Sequence, residues 1–336
     1  MLSIDTDINV LLSIVFMVGG LFALAKSADM FVDAAGALAR NFGISPLLVG
    51  MVIIGFGTSA PEMIVSLISG LGGHSNLSLG NAYGSAIFNI GIILGVTSII
   101  WPIKVKASVN WIAVPVLLLV TILSLFLVLD GEFSRAGGIT LLVVFAILMP
   151  LYCWYDQRCD DVRRCDEGGK IESLAKFVAW KEVLRLVAGL VILVVSSHLM
   201  VWGCVDFARD VLHVSDLLIG LTVVAAGTSL PELASAIASA RKGESEFVVG
   251  NIVGSNLFNT LIVVGLSGTI SPFTGFSRYI VTRDIPVMLL MTLLIAVFGM
   301  NYRHPRRCGV ISRLDGGIWV TLFLVYLAFM IGQEAL

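Results

Sequence analysis

"AAGTSLPELASA", residues 225–236, lies in a strongly apolar stretch and yet carries a proline followed at once by a carboxylate. "IGFGTSAPEMIVS", residues 54–66, repeats the arrangement earlier in the chain. Neither residue is cheap inside a buried helix. Pro61 and Pro231 each remove a backbone donor and press on the carbonyl four residues back, at Gly57 and Gly227. Away from water such a freed carbonyl has to be paired within the protein or line a wet cavity.

The surroundings of both motifs are those of a membrane. Of 336 residues, 57% are hydrophobic and 13% charged, against about 25% charged in soluble domains. Apolar runs of about 20 residues, long enough to cross a hydrocarbon core of about 30 Å, recur throughout. The predicted fold is all-α, a polytopic membrane protein of ten transmembrane helices. The spans fall near 10–38, 44–72, 77–100, 109–129, 136–155, 180–208, 215–241, 246–270, 281–301 and 312–334. The longest polar stretch, within 156–179, divides a first five-helix repeat, 1–155, from a second, 180–336.

A net charge of -2 says nothing about partners, because the distribution of charge matters more; the expected partner is the lipid bilayer of the cell's inner membrane, with no nucleic acid and no obligate protein partner evident. Five cysteines, two in apolar segments and three in or beside basic loops, make no disulfide framework. Cys159 and Cys165 lack a third thiolate or histidine at metal-site spacing, so that loop reads as a solvated, mixed-charge linker. The N-terminus, "MLSIDTDINV", is acidic where a cleavable leader would be basic, so the first helix is expected to be retained. With both termini outside, fifteen Lys and Arg residues fall in cytoplasmic connections and four in external ones. That is the sense of the positive-inside rule, with 156–179 cytoplasmic.

Sliding the chain against itself by 170 residues aligns the motifs without a gap. Gly57-Thr58-Ser59 falls on Gly227-Thr228-Ser229, and Pro61-Glu62 on Pro231-Glu232. Gly80-Asn81, Gly84-Ser85 and Phe88-Asn89 fall on Gly250-Asn251, Gly254-Ser255 and Phe258-Asn259. Over Ser45–Gly95 against 215–265, 20 of 51 positions are identical, most of them Gly, Ser, Thr, Asn, Pro and Glu. Generic apolar similarity would match Leu with Ile instead. Five spans per half is an odd number, so the second copy enters the membrane inverted. Inverted repeats with broken helices at the midplane are the architecture of secondary transporters.

Each motif gathers a carboxylate, hydroxyls and loosened carbonyls. Thr58 and Glu62 share a helix face by their spacing of four, as do Thr228 and Glu232. Asn81, Ser85 and Asn89 add a polar stripe, repeated in Asn251, Ser255 and Asn259. The donors are all oxygen, which suits Ca²⁺ or Na⁺ rather than zinc or copper. One Ca²⁺, two Na⁺ or two protons would neutralise Glu62 and Glu232, whereas the bare pair is costly to occlude. A carrier that reorients only when neutralised is an exchanger. For Asn81 and Asn251, packing and ligation both stay open. Ser66, Ser69, Ser235 and Ser239 are expected to line the pathway or bond to backbone. Lys26, Asp29 and Asp33, at helical spacing in the first span, are expected to pair with one another. No nucleophile–base pair or histidine cluster appears in the spans, so no enzyme is expected.

The paired "GTSxPE" segments with their "GSxxFN" partners resemble the α-repeats of the cation/Ca²⁺ exchanger superfamily, specifically bacterial sodium/calcium exchanger-like membrane proteins. The likeness covers both halves, with α-repeat motifs at 45–95 and 215–265. It implies that Glu62 and Glu232, with Thr58 and Thr228, hold Ca²⁺. It further implies that Na⁺ competes through these glutamates, Ser59, Ser85, Ser229, Ser255 and the carbonyls of Gly55 and Ala225, with Asn89 and Asn259 beside them. Ca²⁺ and Na⁺ are then transported ions, and no organic cofactor is implied. Spans one and six would slide across the rest to alternate access. The expected function is Ca²⁺/Na⁺ antiport. Ca²⁺/H⁺ antiport is the alternative, and a cation channel the alternative of another class. Some prokaryotic members carry aspartate where this chain has Asn259, so the site here offers two formal negative charges rather than three. Proton-coupled members usually carry an acid in the third and eighth spans, and 77–100 has none. A lesser departure is Ala86, where the second copy has Asn256.

Overall fold

Among the described residues each apolar run becomes a helix, since in lipid a helix satisfies its own backbone groups. The computed structural model describes residues 2–167, 176–210, 225–301, 304 and 308–334. In the first half α1 spans Leu2–Phe42, α2 Pro46–Thr58, α3 Ala60–Leu71, α4 Ser75–Ile100, α5 Val109–Val128 and α6 Arg135–Glu167. In the second, α7 spans Lys176–Asp210, α8 Ala225–Thr228, α9 Leu230–Arg241, α10 Ser245–Ile270, α11 Ile280–Gly299 and α12 Arg313–Glu334. Among the described residues, eight helices are long and apolar enough to cross a membrane. The pair α2 and α3, bent by 46°, makes a ninth span. Of the span expected at 215–241, only α8 and α9 are described, because 215–224 lie outside the described residues.

The first helices of the two halves pack antiparallel, as inversion requires. A Cβ on Gly189 of α7 would meet Phe31 of α1 at 3.0 Å, one on Gly20 would meet Met200 at 2.9 Å, and one on Gly203 the Ser13 carbonyl at 2.6 Å. Contacts thus run down one helix as they run up the other, and the glycines set the close approach. Two short ladders also join the halves. Strand β1 (Ile103–Val105) pairs antiparallel with β4 (Gly309–Ile311), and β2 (Glu132–Phe133) with β3 (Phe273–Thr274). Ile103 and Phe273 are equivalent positions of the repeat, so the two ladders are counterparts. Gly73 and Gly243, also equivalent, take φ of 75° and 77° to turn the chain out of the broken helices.

Among the described spans α10 is the most enclosed. Large apolar side chains on α5 and α7, such as Leu119, Phe126 and Leu184, face outward, where lipid is the solvent. The close approach of α2 to α10 depends on small residues: a Cβ on Gly250 would sit 2.5 Å from the Leu47 carbonyl and 3.0 Å from Gly50. Gly250→Ala is therefore expected to force the two helices apart, at about 1–3 kcal/mol for overpacking. A thermal ramp in detergent checks this; an unchanged melting temperature would show that the contact is soft.

Two expectations need correction. The stretch 156–179 is not a loop throughout, since α6 continues to Glu167 and α7 begins at Lys176. No Gly or Pro occurs between Leu151 and Glu167, and Gly168-Gly169 come next, so nothing halts the helix where its apolar face ends. Nor do Lys26, Asp29 and Asp33 pair among themselves. Asp29 meets Arg241 at 2.5 Å and Asp33 meets Lys242 at 2.7 Å, at the C-terminal end of α9. Lys26 instead lies over the Phe22 ring, 5.8 Å from its centroid. Pairs within one helix contribute only about 0.2–0.5 kcal/mol, so the two cations that tertiary packing brings to α1 displace the local partner.

Candidate cation site

Both helix breaks occur at serine. Ser59 (φ −81°, ψ 4°) separates α2 from α3, and Ser229 (φ −94°, ψ 9°) separates α8 from α9. In each case the proline follows two residues later in the first turn of the new helix, where its missing N–H costs nothing. The glutamate comes next, in that same turn. The carbonyl that Pro231 frees at Gly227 accepts a hydrogen bond from Ser197 Oγ of α7 at 3.0 Å. Ser27, the equivalent of Ser197, donates within α1 to Ala23 and Leu24. The halves are thus alike in backbone and unlike in this contact.

The two motifs meet reciprocally. Ser59 Oγ donates to Glu232 Oε1 at 3.1 Å, and Ser229 Oγ donates to Glu62 Oε1 at 3.1 Å. Each break therefore presents its hydroxyl to the other repeat's carboxylate, which brings both glutamates to one place. Glu62 is 0% exposed and Glu232 1%. The second oxygen of each, Oε2, has no hydrogen-bond partner. Asn89 and Asn259 are fully buried, and Asn89 Oδ1 and both amide atoms of Asn259 are likewise unpartnered. A π-helical turn begins at each, over Asn89–Leu94 and Asn259–Val263. Such turns are rare and occur often at functional positions.

Around these free atoms the other polar groups are occupied. Thr58 Oγ1 donates to the Ile54 carbonyl at 2.9 Å and contacts Asn251 Oδ1 at 3.2 Å, so its hydroxyl is engaged. Ser255 Oγ reaches the Gly55 carbonyl at 3.3 Å. Asn251 Nδ2 donates to Ser235 Oγ at 2.9 Å and to the Glu232 carbonyl at 3.3 Å; Asn81 Nδ2 does the same for Ser66 Oγ at 2.9 Å and the Glu62 carbonyl at 3.2 Å. These two asparagines brace the backbone of the glutamates, which favours packing over ligation. Ser66 and Ser239 bond to backbone, as expected. Ser85, within the stripe, is buried, Thr228 is half-buried, and Ala225 opens the described part of the second broken helix.

Two buried carboxylates with serine hydroxyls as their partners form an incomplete arrangement. Burying like charges together costs several kcal/mol per ion unless a cation compensates them. Apart from Asn259 Nδ2, an amide nitrogen that does not ligate cations, the free atoms are oxygens, in keeping with a hard cation. Among the described residues no group of three or more His, Cys, Asp or Glu side chains clusters, so the local charge is that of two glutamates. Two contributors escaped sequence reading. Ser197 is one hydroxyl among many in an apolar helix. Asn256 drew notice only as a mismatch in the repeat, yet it bonds to both Ala86 and Asn89.

Comparison with known proteins bears on the chain as a whole. The family described as "Sodium/calcium exchanger protein" matches residues 12–154 and 181–332. The inner membrane protein YrbG of Escherichia coli strain K12 is 38% identical over 323 residues, covering 94% of this chain and 97% of its own length. The sodium/calcium exchanger MaX1 of Methanosarcina acetivorans is 27% identical, over 93% of this chain and 95% of its own. Among solved structures, the sodium-calcium exchanger NCX_Mj soaked with Na⁺ and Sr²⁺ superposes with a TM-score of 0.80 at 29% identity. That match covers 95% of this chain and 98% of the other.

Proposed function

We propose, from the premise that this chain belongs to the sodium/calcium exchanger protein family, that it is a secondary antiporter exchanging Ca²⁺ for Na⁺ by alternating access. A cation/Ca²⁺ antiporter is a membrane transporter, not an enzyme, and Ca²⁺ is its cargo. The observation that carries the reading is the reciprocal pair of contacts, Ser59 to Glu232 and Ser229 to Glu62, with one oxygen of each carboxylate left free. Ca²⁺ would take those two oxygens and the carbonyls of Thr58 and Thr228. Na⁺ would compete for the same glutamates with help from Ser59, Ser85, Ser229, Ser255 and the carbonyls of Gly55 and Ala225, with Asn89 and Asn259 beside them. Competition for shared charge gives obligatory exchange, because the empty carboxylate pair is too costly to carry across the occluded state.

In this reading the breaks at Ser59 and Ser229, each flanked by the glycine and proline of its motif, open the site where the halves meet, and α1 with α7 would slide to expose it on alternate sides. We place the protein in the cytoplasmic membrane with both termini outside, on the distribution of Lys and Arg. Burial of both glutamates weighs against a channel, which needs a continuous wet path. The domain reading is two five-helix repeats joined by a cytoplasmic connection within 156–179.

The test is competition at equilibrium. Purified protein in detergent is titrated with ⁴⁵Ca²⁺ at a series of Na⁺ concentrations held at constant ionic strength with choline. Na⁺ is expected to weaken Ca²⁺ binding steeply, with a Hill coefficient above one. Ca²⁺ binding indifferent to Na⁺ but displaced by acid would move the reading to Ca²⁺/H⁺ exchange.

A further inference from the structure

Ala86 and Asn256 occupy equivalent positions of the repeat, 170 residues apart, and they touch each other. Asn256 Nδ2 lies 3.2 Å from the Ala86 carbonyl. A residue in contact with its own counterpart lies on the axis relating the two halves. Both residues are fully buried there, and a single side chain spans the axis.

That side chain transmits a polarity. A backbone carbonyl only accepts, so the Asn256 atom facing Ala86 must be the amide nitrogen. Its other atom is therefore the oxygen, and an oxygen needs a donor. The group opposite it, 3.1 Å away, is accordingly the nitrogen of Asn89. With its nitrogen spent, Asn89 has only Oδ1 left, the atom found buried and unpartnered. The Ala86 carbonyl thus dictates, through two amides, that Asn89 presents an oxygen. Asn259 has no such constraint. Its equivalent brace would have to come from position 86, where alanine has no side chain to supply it, and both of its amide atoms are unbonded. The two asparagines, identical in the repeat, are unequal in the folded protein.

We propose that Asn256 is a positioning residue for cation binding, which locks the Asn89 carboxamide oxygen-outward while leaving Asn259 free to turn. This rests on the cation-site reading above. It makes Asn89 a pre-set oxygen donor, whereas Asn259 can offer either face of its amide. A locked oxygen lowers the ordering cost of ligation; released, the carboxamide could as well point its NH₂ group at the cation, which repels it.

The experiment is a double-mutant cycle on Ca²⁺ transport in proteoliposomes, using Asn256→Ala and Asn256→Leu, each alone and combined with Asn89→Ala. Leucine keeps the branched outline of asparagine but is bulkier and makes neither hydrogen bond, whereas alanine is smaller, so agreement between the two variants separates positioning from packing. The expected result is a rise of about tenfold in the Ca²⁺ KM for either Asn256 variant, with the maximal rate within about twofold of wild type. In the Asn89→Ala background the same changes should add less than about twofold, because the residue through which Asn256 acts is gone. Such non-additivity is the signature of a shared pathway. Multiplying effects would overturn the positioning role and make Asn256 a packing residue. A wild-type KM in Asn256→Leu would overturn it also. A wild-type KM in Asn89→Ala alone would instead count against Asn89 as a ligand, and so against that part of the site itself.

Discussion

Glu62→Ala and Glu232→Ala are each expected to lower Ca²⁺ transport by about 100-fold or more while leaving a folded, monodisperse protein. The magnitude follows from burial. Removing one partner of a buried charge interaction typically costs about 3–5 kcal/mol, and each 1.4 kcal/mol is a factor of about ten. With a single carboxylate left, a divalent cation would sit in the protein interior with its charge half compensated. Folding should survive, because the empty protein loses a costly buried carboxylate, and the serine that faced it can turn to a neighbouring carbonyl. A second readout separates loss of binding from loss of movement. Wild-type protein at Ca²⁺ about 100-fold above its Kd should be stabilised by about 2.7 kcal/mol, and both variants should lose this shift. Normal Ca²⁺ flux in either would remove that glutamate from the site. Since Ser59 and Ser229 bond across to the opposite glutamates, the two variants should be about equally impaired.

Asn259→Asp is the second large effect expected, and it acts on coupling rather than on activity as such. Asn259 is fully buried with both amide atoms unpartnered, so an aspartate of the same shape needs no repacking. It would bring a third negative charge to a site that holds two. That charge has to be matched by an additional monovalent ion in the cycle, or by a proton, before the occluded state forms. The variant is therefore expected to show a changed Na⁺ Hill coefficient and a changed charge movement per Ca²⁺. Its Ca²⁺ KM should shift by about tenfold, the scale of one added charge contact of 1–2 kcal/mol. The comparison is Ca²⁺ flux against Na⁺ concentration at clamped membrane potential. Unchanged Na⁺ and Ca²⁺ dependences would take Asn259 out of the site.

Legibility in the sequence followed the kind of residue. Gly57, Pro61, Glu62 and their counterparts stand out because nothing in a lipid-facing helix asks for them, and the ungapped offset of 170 residues turned two anomalies into one architecture. Span positions were readable because the bilayer fixes helix length. What escaped depends on which side chain meets which. The partners of Asp29 and Asp33 on α9 lie more than 200 residues away, and helical spacing offers a nearer but weaker one. Ser197 matters only because α7 passes the Gly227 carbonyl. Asn256 was visible as a break in the repeat, but its meaning depends on the axis passing between it and Ala86. The helical continuation to Glu167 is hidden by a polar composition that resembles a loop, although no helix-breaking residue stands there.

The identity of the driving ion is decided by Ca²⁺ uptake into proteoliposomes under an imposed outward Na⁺ gradient, with outward K⁺ and pH gradients as parallel arms. Uptake is expected to follow the Na⁺ gradient, to collapse when that gradient is dissipated, and to be absent in the other two arms. Uptake driven by the pH gradient alone, with the Na⁺ arm silent, would contradict that expectation and assign these same glutamates to Ca²⁺/H⁺ exchange.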